Sequence, residues 1–195
     1  DVPKTGYGLR QYADDIIELI RIMGLKRPFF AGNSWGANIG TYLAAERPEL
    51  FSMVVLEDPV YWKMVDAFKT IVPKILSRSL SSEGEVRADA FSRGLSSEPA
   101  DREVYLSRCF SPEALQQVAT VNRGWALDCD HYLARIAVPT MALVADSEAG
   151  GYISFEELAH HRESASADVV FRRWEGVGHM MHGEHPDRFV REVRK

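Results

Sequence analysis

Two cysteines, Cys109 and Cys129, are all that the 195 residues contain. Neither belongs to a CxxC pair or to a Cys/His spacing of the zinc type, which argues against a structural zinc module. They read as reduced, mostly buried thiols of a cytoplasmic protein rather than as a disulfide. Basic runs are lacking too. Doublets such as Lys26-Arg27 and Arg172-Arg173 are isolated, and the net charge is −5, so nothing here attracts nucleic acid. No apolar stretch approaches the roughly 20 residues of a membrane span. The opening "DVPKTGYGLRQYADD" has no initiator Met and no apolar h-region of a signal peptide. It reads as though entered in the middle of a longer pattern.

What is present is alternation. "YADDIIELIRIMG" predicts a helix, with Ile16, Ile20 and Met23 on one face beside Leu19, acids Asp14 and Asp15 in the first turns, and Gly24 at its end. "RPFFA" is a short apolar run suited to a strand covered on both faces. A helix follows over 35–46, in which Gly36, Ala37 and Gly40 permit close packing. Further strands are expected at 53–57, 140–145 and 168–174, with helices over 154–162 and from Pro186 onward. Such βαβ order implies an α/β fold with a mostly parallel sheet and helices on both faces. The interval between Pro59 and Pro139 departs from it. "YWKMVDAFKTIVPKILSRSL" is amphipathic and interrupted by Pro73, "SSEGE" and "GLSSEPAD" read as turn-rich, and "SPEALQQVATVN" opens like a helix. The organisation expected is a core over 1–59, a helical insertion over 60–135 and a second core part over 136–195. Insertions at the carboxyl edge of a sheet usually cover a ligand crevice.

One motif carries chemistry. "PFFAGNSWGANIG" boxes Ser34 between Gly32 and Gly36, after a strand and before a helix. Alone, G-x-S-x-G is a weak signal. In strand–turn–helix context it is the form of a nucleophile elbow. The turn strains the serine backbone, side chains at Gly32 or Gly36 would collide with neighbouring backbone, and the helix start offers N–H groups where an oxyanion would form. A serine nucleophile needs a base, and the base an orienting acid. Of the six histidines, His179 sits in a Gly-rich loop after the last strand, in "GVGH", and is the candidate base. No residue pattern calls for a cofactor or a metal.

With those pieces in view, the sequence resembles the α/β-hydrolase fold superfamily over nearly its whole length. The segments that carry the likeness are "GYGLRQYADDIIELI", "GNSWGANIGTYLAAERPELFSMVVLEDP", "VPTMALVADSEAGG" and "GVGHMMHGEHPDRF". The resemblance implies a serine hydrolase acting on an ester, lactone or similar carbonyl, with the insertion as a lid and the Trp35 N–H as one oxyanion donor. A non-catalytic ligand-binding protein on the same fold is the alternative. Ser34 at the elbow argues against the branches that use an Asp nucleophile. Three acids compete for the third role. The family strand commonly ends Gly-Asp-x-Asp, where this chain has Ala145-Asp146-Ser147-Glu148. Residue type favours Asp146, register favours Glu148, and some members place the acid where Asp58 stands. Tyr61, Trp62, Met64, Phe68 and Trp125 suggest a small-molecule substrate with an apolar acyl or aromatic group. The chain looks like the family's carboxyl-terminal part. The strands normally found earlier, with the loop that gives a second oxyanion N–H, would come from a missing N-terminal segment or a second chain completing the sheet.

Overall fold

The computed structural model describes residues 6–61, 64–121 and 128–194, leaving aside the side chains of 64–69, 71 and 117–121. In chain order the elements are α1 (Leu9–Ile22), β1 (Phe29–Asn33), α2 (Trp35–Glu46), β2 (Met53–Glu57), α3 (Met64–Leu80), α4 (Glu83–Ser92), α5 (Ser97–Cys109), α6 (Pro112–Val121), α7 (Cys129–Leu133), β3 (Thr140–Val144), α8 (Phe155–Ser164), β4 (Val169–Arg173), α9 (Met181–Glu184) and α10 (Pro186–Val193). They divide into two compact units. One comprises residues 9–63 and 124–195, the other 1–8 and 64–123.

The first unit holds a parallel sheet in the order β1-β2-β3-β4. Asn33 pairs with Glu57, Glu57 with Leu143, and Val144 with Arg173. The carboxyl ends of all four strands therefore lie along one edge. Alternation along the central strands separates two apolar layers. Val54, Leu56, Ala142 and Val144 face a core built with α1, α2, α7 and α8. Val55, Met141 and Leu143 face Trp174, Val177, Met181 and the partly buried Phe189 and Val193 on α9 and α10. Glycine at position 40 is a packing requirement, since a Cβ there would come within 2.7 Å of Phe30 Cε1 and 2.8 Å of Leu56 Cδ2.

The helix before β1 departs from the expected register. It begins at Leu9, which puts Asp14 and Asp15 beyond its first turn. Its inward face runs through Leu9, Ala13 and Ile20 with Ile16 and Ile17 alongside, while Leu19 and Met23 are exposed. Starting three residues earlier rotates the buried stripe by adding Leu9, one i, i+4 step before Ala13.

The second unit is helical. α3 passes through Pro73 without ending. The turn-rich readings of "SSEGE" and "GLSSEPAD" are corrected, because both open helices. Ser82 caps α4 in a reciprocal box with Glu85, and Pro99 occupies the first turn of α5, where its missing N–H has no intrahelical partner to lose. Val86, Ala90, Ala100 and Val104 are buried in this unit, and Arg78 and Arg93 bridge Asp89 and Glu103 beside them. No described helix is long and apolar enough to cross a membrane. Neither cysteine is in a disulfide, and Cys109 is exposed rather than buried.

Candidate active site

β1 delivers Ser34 to the sheet edge in a backbone conformation that L-residues avoid, with φ 56° and ψ −116°. Such a conformation costs on the order of 1–3 kcal/mol and persists only when its surroundings enforce it. Here the Ser34 N–H extends the β1–β2 ladder to the Glu57 carbonyl at 2.9 Å, and the Ser34 carbonyl accepts from Ala37 and Asn38 in the first turn of α2. A Cβ on Gly32 would lie 2.4 Å from the Gly36 backbone carbonyl, so the turn closes only over glycine. Gly36 differs from the expectation. A Cβ there meets nothing within 4 Å, so the tight approach constrains position 32 and not position 36. Trp35 opens α2, which puts its backbone at the helix start directly after Ser34.

The loop after β4 carries His179. Its Nδ1 lies 2.6 Å from Oδ2 of Asp58. Asp58 follows β2, is fully buried and also has a positive φ, 40°. A buried carboxylate must be well supplied with donors. Asp58 accepts the Ala145 N–H at 3.1 Å on Oδ1 and the Tyr152 N–H at 3.2 Å on Oδ2, besides the His179 ring. The Tyr152 ring stands edge-on to the imidazole, with centroids 4.6 Å apart. Because an ionised carboxylate only accepts, His179 carries its proton on Nδ1 and leaves Nε2 as the basic nitrogen. Asn33, the residue before Ser34, donates from Nδ2 to the His179 carbonyl at 3.2 Å and ties the His179 loop to the turn that carries Ser34. Ser34 Oγ and His179 share no hydrogen bond here. Contacts of this kind often tighten only around substrate.

Asp146, favoured on residue type, is turned to other partners. Its Oδ1 accepts from Glu148 N–H and Arg173, and its Oδ2 accepts the Gly176 N–H at 2.8 Å. The Gly176 N–H first, then Glu148 and Arg173, hold its carboxyl below the usual range. Glu148 is exposed on the following turn. Among the three candidate acids the structure thus brings Asp58, not Asp146 or Glu148, against His179. The reason is topological. β2 lies between β1 and β3, so the residue leaving β2 sits between the elbow and the incoming loops.

Tyr61 belongs to the core of the sheet unit rather than to a pocket wall. It is buried, its hydroxyl lies 2.8 Å from Thr41 Oγ1, and its ring packs against His161. Trp62 and Trp125, and the side chains of Met64 and Phe68, lie outside the described residues. Cys129, Asp130 and His161 gather ligand-type atoms within 4.8 Å. Hydrogen bonds account for much of that cluster. Asp130 accepts from His160, His161 and Ser164 and so ties α7 to α8. Sequence reasoning did not single out Asn33, Glu57, Tyr152 or His182. The available signal was the pair Glu57-Asp58, two acids closing an otherwise apolar strand.

Comparison with known proteins bears on the family and the fold. A sequence model of the "Alpha/beta hydrolase family" matches residues 1–192. Mouse (Mus musculus) monoglyceride lipase is 28% identical over 176 residues, covering 82% of this chain and 53% of the lipase. The chain therefore spans about half the length of that relative. A 2-(acetamidomethylene)succinate hydrolase of Mesorhizobium japonicum is 31% identical over 94 residues, covering 48% of this chain and 34% of its own. The crystal structure of E-2-(acetamidomethylene)succinate hydrolase superposes with a TM-score of 0.73 at 23% identity, over 99% of this chain and 75% of that one. An esterase from Exiguobacterium antarcticum gives 0.70 at 21% identity, over 100% and 75%. A parallel sheet that sets a strained Ser34 and a carboxylate-bound His179 on one edge, matched along 1–192 by the family's own pattern, makes this chain a member of the alpha/beta hydrolase family.

Proposed function

We propose that the protein is a serine hydrolase cleaving an ester, lactone or related carbonyl through an acyl-enzyme, with Ser34 as nucleophile, His179 as base and Asp58 as the orienting acid. The observation that carries this reading is the 2.6 Å contact between His179 Nδ1 and the fully buried Asp58. It sits on the edge where the elbow delivers Ser34. With Nδ1–H held by Asp58, Nε2 takes the Ser34 proton as Oγ attacks the carbonyl carbon. The imidazolium that forms faces a carboxylate. It then returns the proton to the leaving alkoxide, and a water repeats the cycle to release the acid. The Trp35 N–H at the start of α2 is one donor to the oxyanion. Helices α3–α6 are inserted in the chain between β2 and β3, the position at which a lid is expected. The names of relatives, monoglyceride lipases and an esterase among them, favour carboxylic esters.

β1 is the outermost strand on its side of the described sheet, and Phe29 on it is 44% exposed. A further strand, from the same chain or another, fits that edge and would bring the second oxyanion donor. The test is turnover of p-nitrophenyl esters of graded acyl length by the full-length protein and by Ser34→Ala. Turnover lost by more than about a thousandfold in the variant supports the reading. Ligand binding without turnover in the unaltered protein would instead favour a non-catalytic binding protein.

A further inference from the structure

Three residues beyond His179, a second histidine meets a second buried acid. Glu57 ends β2, and its side chain is only 4% exposed. Its carboxylate accepts the backbone N–H of His182 at 2.8 Å and the His182 ring Nδ1 at 2.9 and 2.8 Å to its two oxygens. The carbonyl of the same Glu57 accepts the Ser34 N–H at 2.9 Å and the Asn33 amide at 3.5 Å. Asn33 in turn donates to the His179 carbonyl. One residue therefore grips both loops, the elbow through its backbone and the base loop through its side chain. A buried carboxylate costs several kcal/mol unless well partnered, and apolar β2 would pack more simply without it. Structural economy does not explain an ion at this position. Register between two loops does.

We infer that Glu57 and His182 are a positioning pair, which fixes the distance between His179 and Ser34 by clamping the base loop to the strand that precedes Asp58. This rests on the hydrolase reading above for its effect on rate, but not for its effect on structure. His182 touches no reacting atom. Its ring donates one hydrogen bond to the carboxylate and rests beside Phe189 of α10. Losing that bond leaves the backbone bond of the same loop in place and loosens, rather than detaches, the segment from His179 to His182. Misplacement by an ångström lowers chemistry while sparing substrate binding.

The experiment uses the full-length protein with His182→Ala, His182→Asn and Glu57→Gln. The Asn amide can replace the ring Nδ1–H, and Gln keeps one acceptor oxygen where Glu has two. His182→Ala is expected to lower kcat on the order of 10- to 100-fold with KM unchanged. His182→Asn should recover most of that loss, and Glu57→Gln should show the same kcat-only pattern should the alanine variant fold poorly. A second readout needs no turnover: the far-downfield Nδ1–H proton resonance of His179 on Asp58, assigned with His179→Gln. It should be sharp in the unaltered protein, broadened in His182→Ala and restored in His182→Asn. Normal kcat and an unchanged resonance in His182→Ala would overturn the inference, as would an Asn variant as impaired as alanine. If Ser34 proves inert yet the resonance follows the variants as expected, the hydrolase reading fails and the positioning pair stands.

Discussion

Asp58→Asn is the substitution whose outcome the structure constrains most tightly. The two carboxylate oxygens receive three N–H groups, from Ala145 on one side and from Tyr152 and His179 on the other. An asparagine amide offers one oxygen and one NH2. With its oxygen in the place of Oδ2 it keeps two of the three bonds, and its NH2 opposes the Ala145 N–H. The reverse orientation opposes two donors, so the first is preferred. His179 then keeps its tautomer but loses its counter-charge. One donor–donor contact in a fully buried site costs about 1–3 kcal/mol of stability. An imidazolium and a carboxylate about 4 Å apart between charge centres attract by about 4 kcal/mol at an effective dielectric constant of ~20. That corresponds to a loss of roughly 10³-fold in kcat/KM. The assay is ester hydrolysis by the full-length variant, with circular-dichroism melts to establish that it is folded at the assay temperature. Asp146→Asn and Glu148→Gln, assayed alongside, should stay near the unaltered rate, although Asp146→Asn should melt lower because it weakens three bonds. A folded Asp58→Asn variant keeping more than about a tenth of the rate, a barrier change under about 1.4 kcal/mol, would refute the argument. So would an Asp146→Asn variant that loses the activity instead.

Further predictions concern packing and pH. Gly32→Ala forces a Cβ to within 2.4 Å of the Gly36 carbonyl, so denaturant unfolding should show a loss at or above the upper end of about 1–3 kcal/mol, whereas Gly36→Ala should stay within about 1 kcal/mol; equal effects would contradict the elbow geometry. Burial chiefly holds the His161 imidazole below its ordinary value, against the opposing pull of Asp130. The unfolded chain then binds the proton first, near pH 6.5, so stability should fall as pH drops from there toward the folded value. His161→Gln should flatten that part of the melting-temperature profile, and an unchanged slope would count against the assignment.

The parts of the fold set by local chemistry could be read from the sequence. The four apolar runs became strands because each is short and bounded by Gly, Pro or polar residues, and Gly32 and Ser34 announced the turn that follows β1. His179 stood out from the other histidines because only a loop after a strand reaches the functional edge. The carboxylate partner of His179 was less accessible. Asp58, Asp146 and Glu148 all follow strands, and residue type does not encode which loop turns over the imidazole. That depends on β2 lying between β1 and β3 and on the positive φ at Asp58. Helices α4 and α5 were hidden for a different reason. Ser, Gly, Glu and Pro favour turns and helix starts alike, and Ser82 with Glu85 used them to cap. In α1 the inward face was displaced because Leu9, outside the expected helical stretch, and Ala13, off its apolar periodicity, anchor the helix to the core.

The central claim is that Ser34 is a nucleophile activated by His179 and Asp58. Its most direct test is mass spectrometry of the full-length protein after brief exposure to a fluorophosphonate, with peptide mapping of the adduct. The account predicts a single stoichiometric adduct on the peptide containing Ser34, none in Ser34→Ala, and labelling slowed by orders of magnitude in His179→Gln. No adduct on the folded protein, or an adduct carried by a residue other than Ser34, would contradict it.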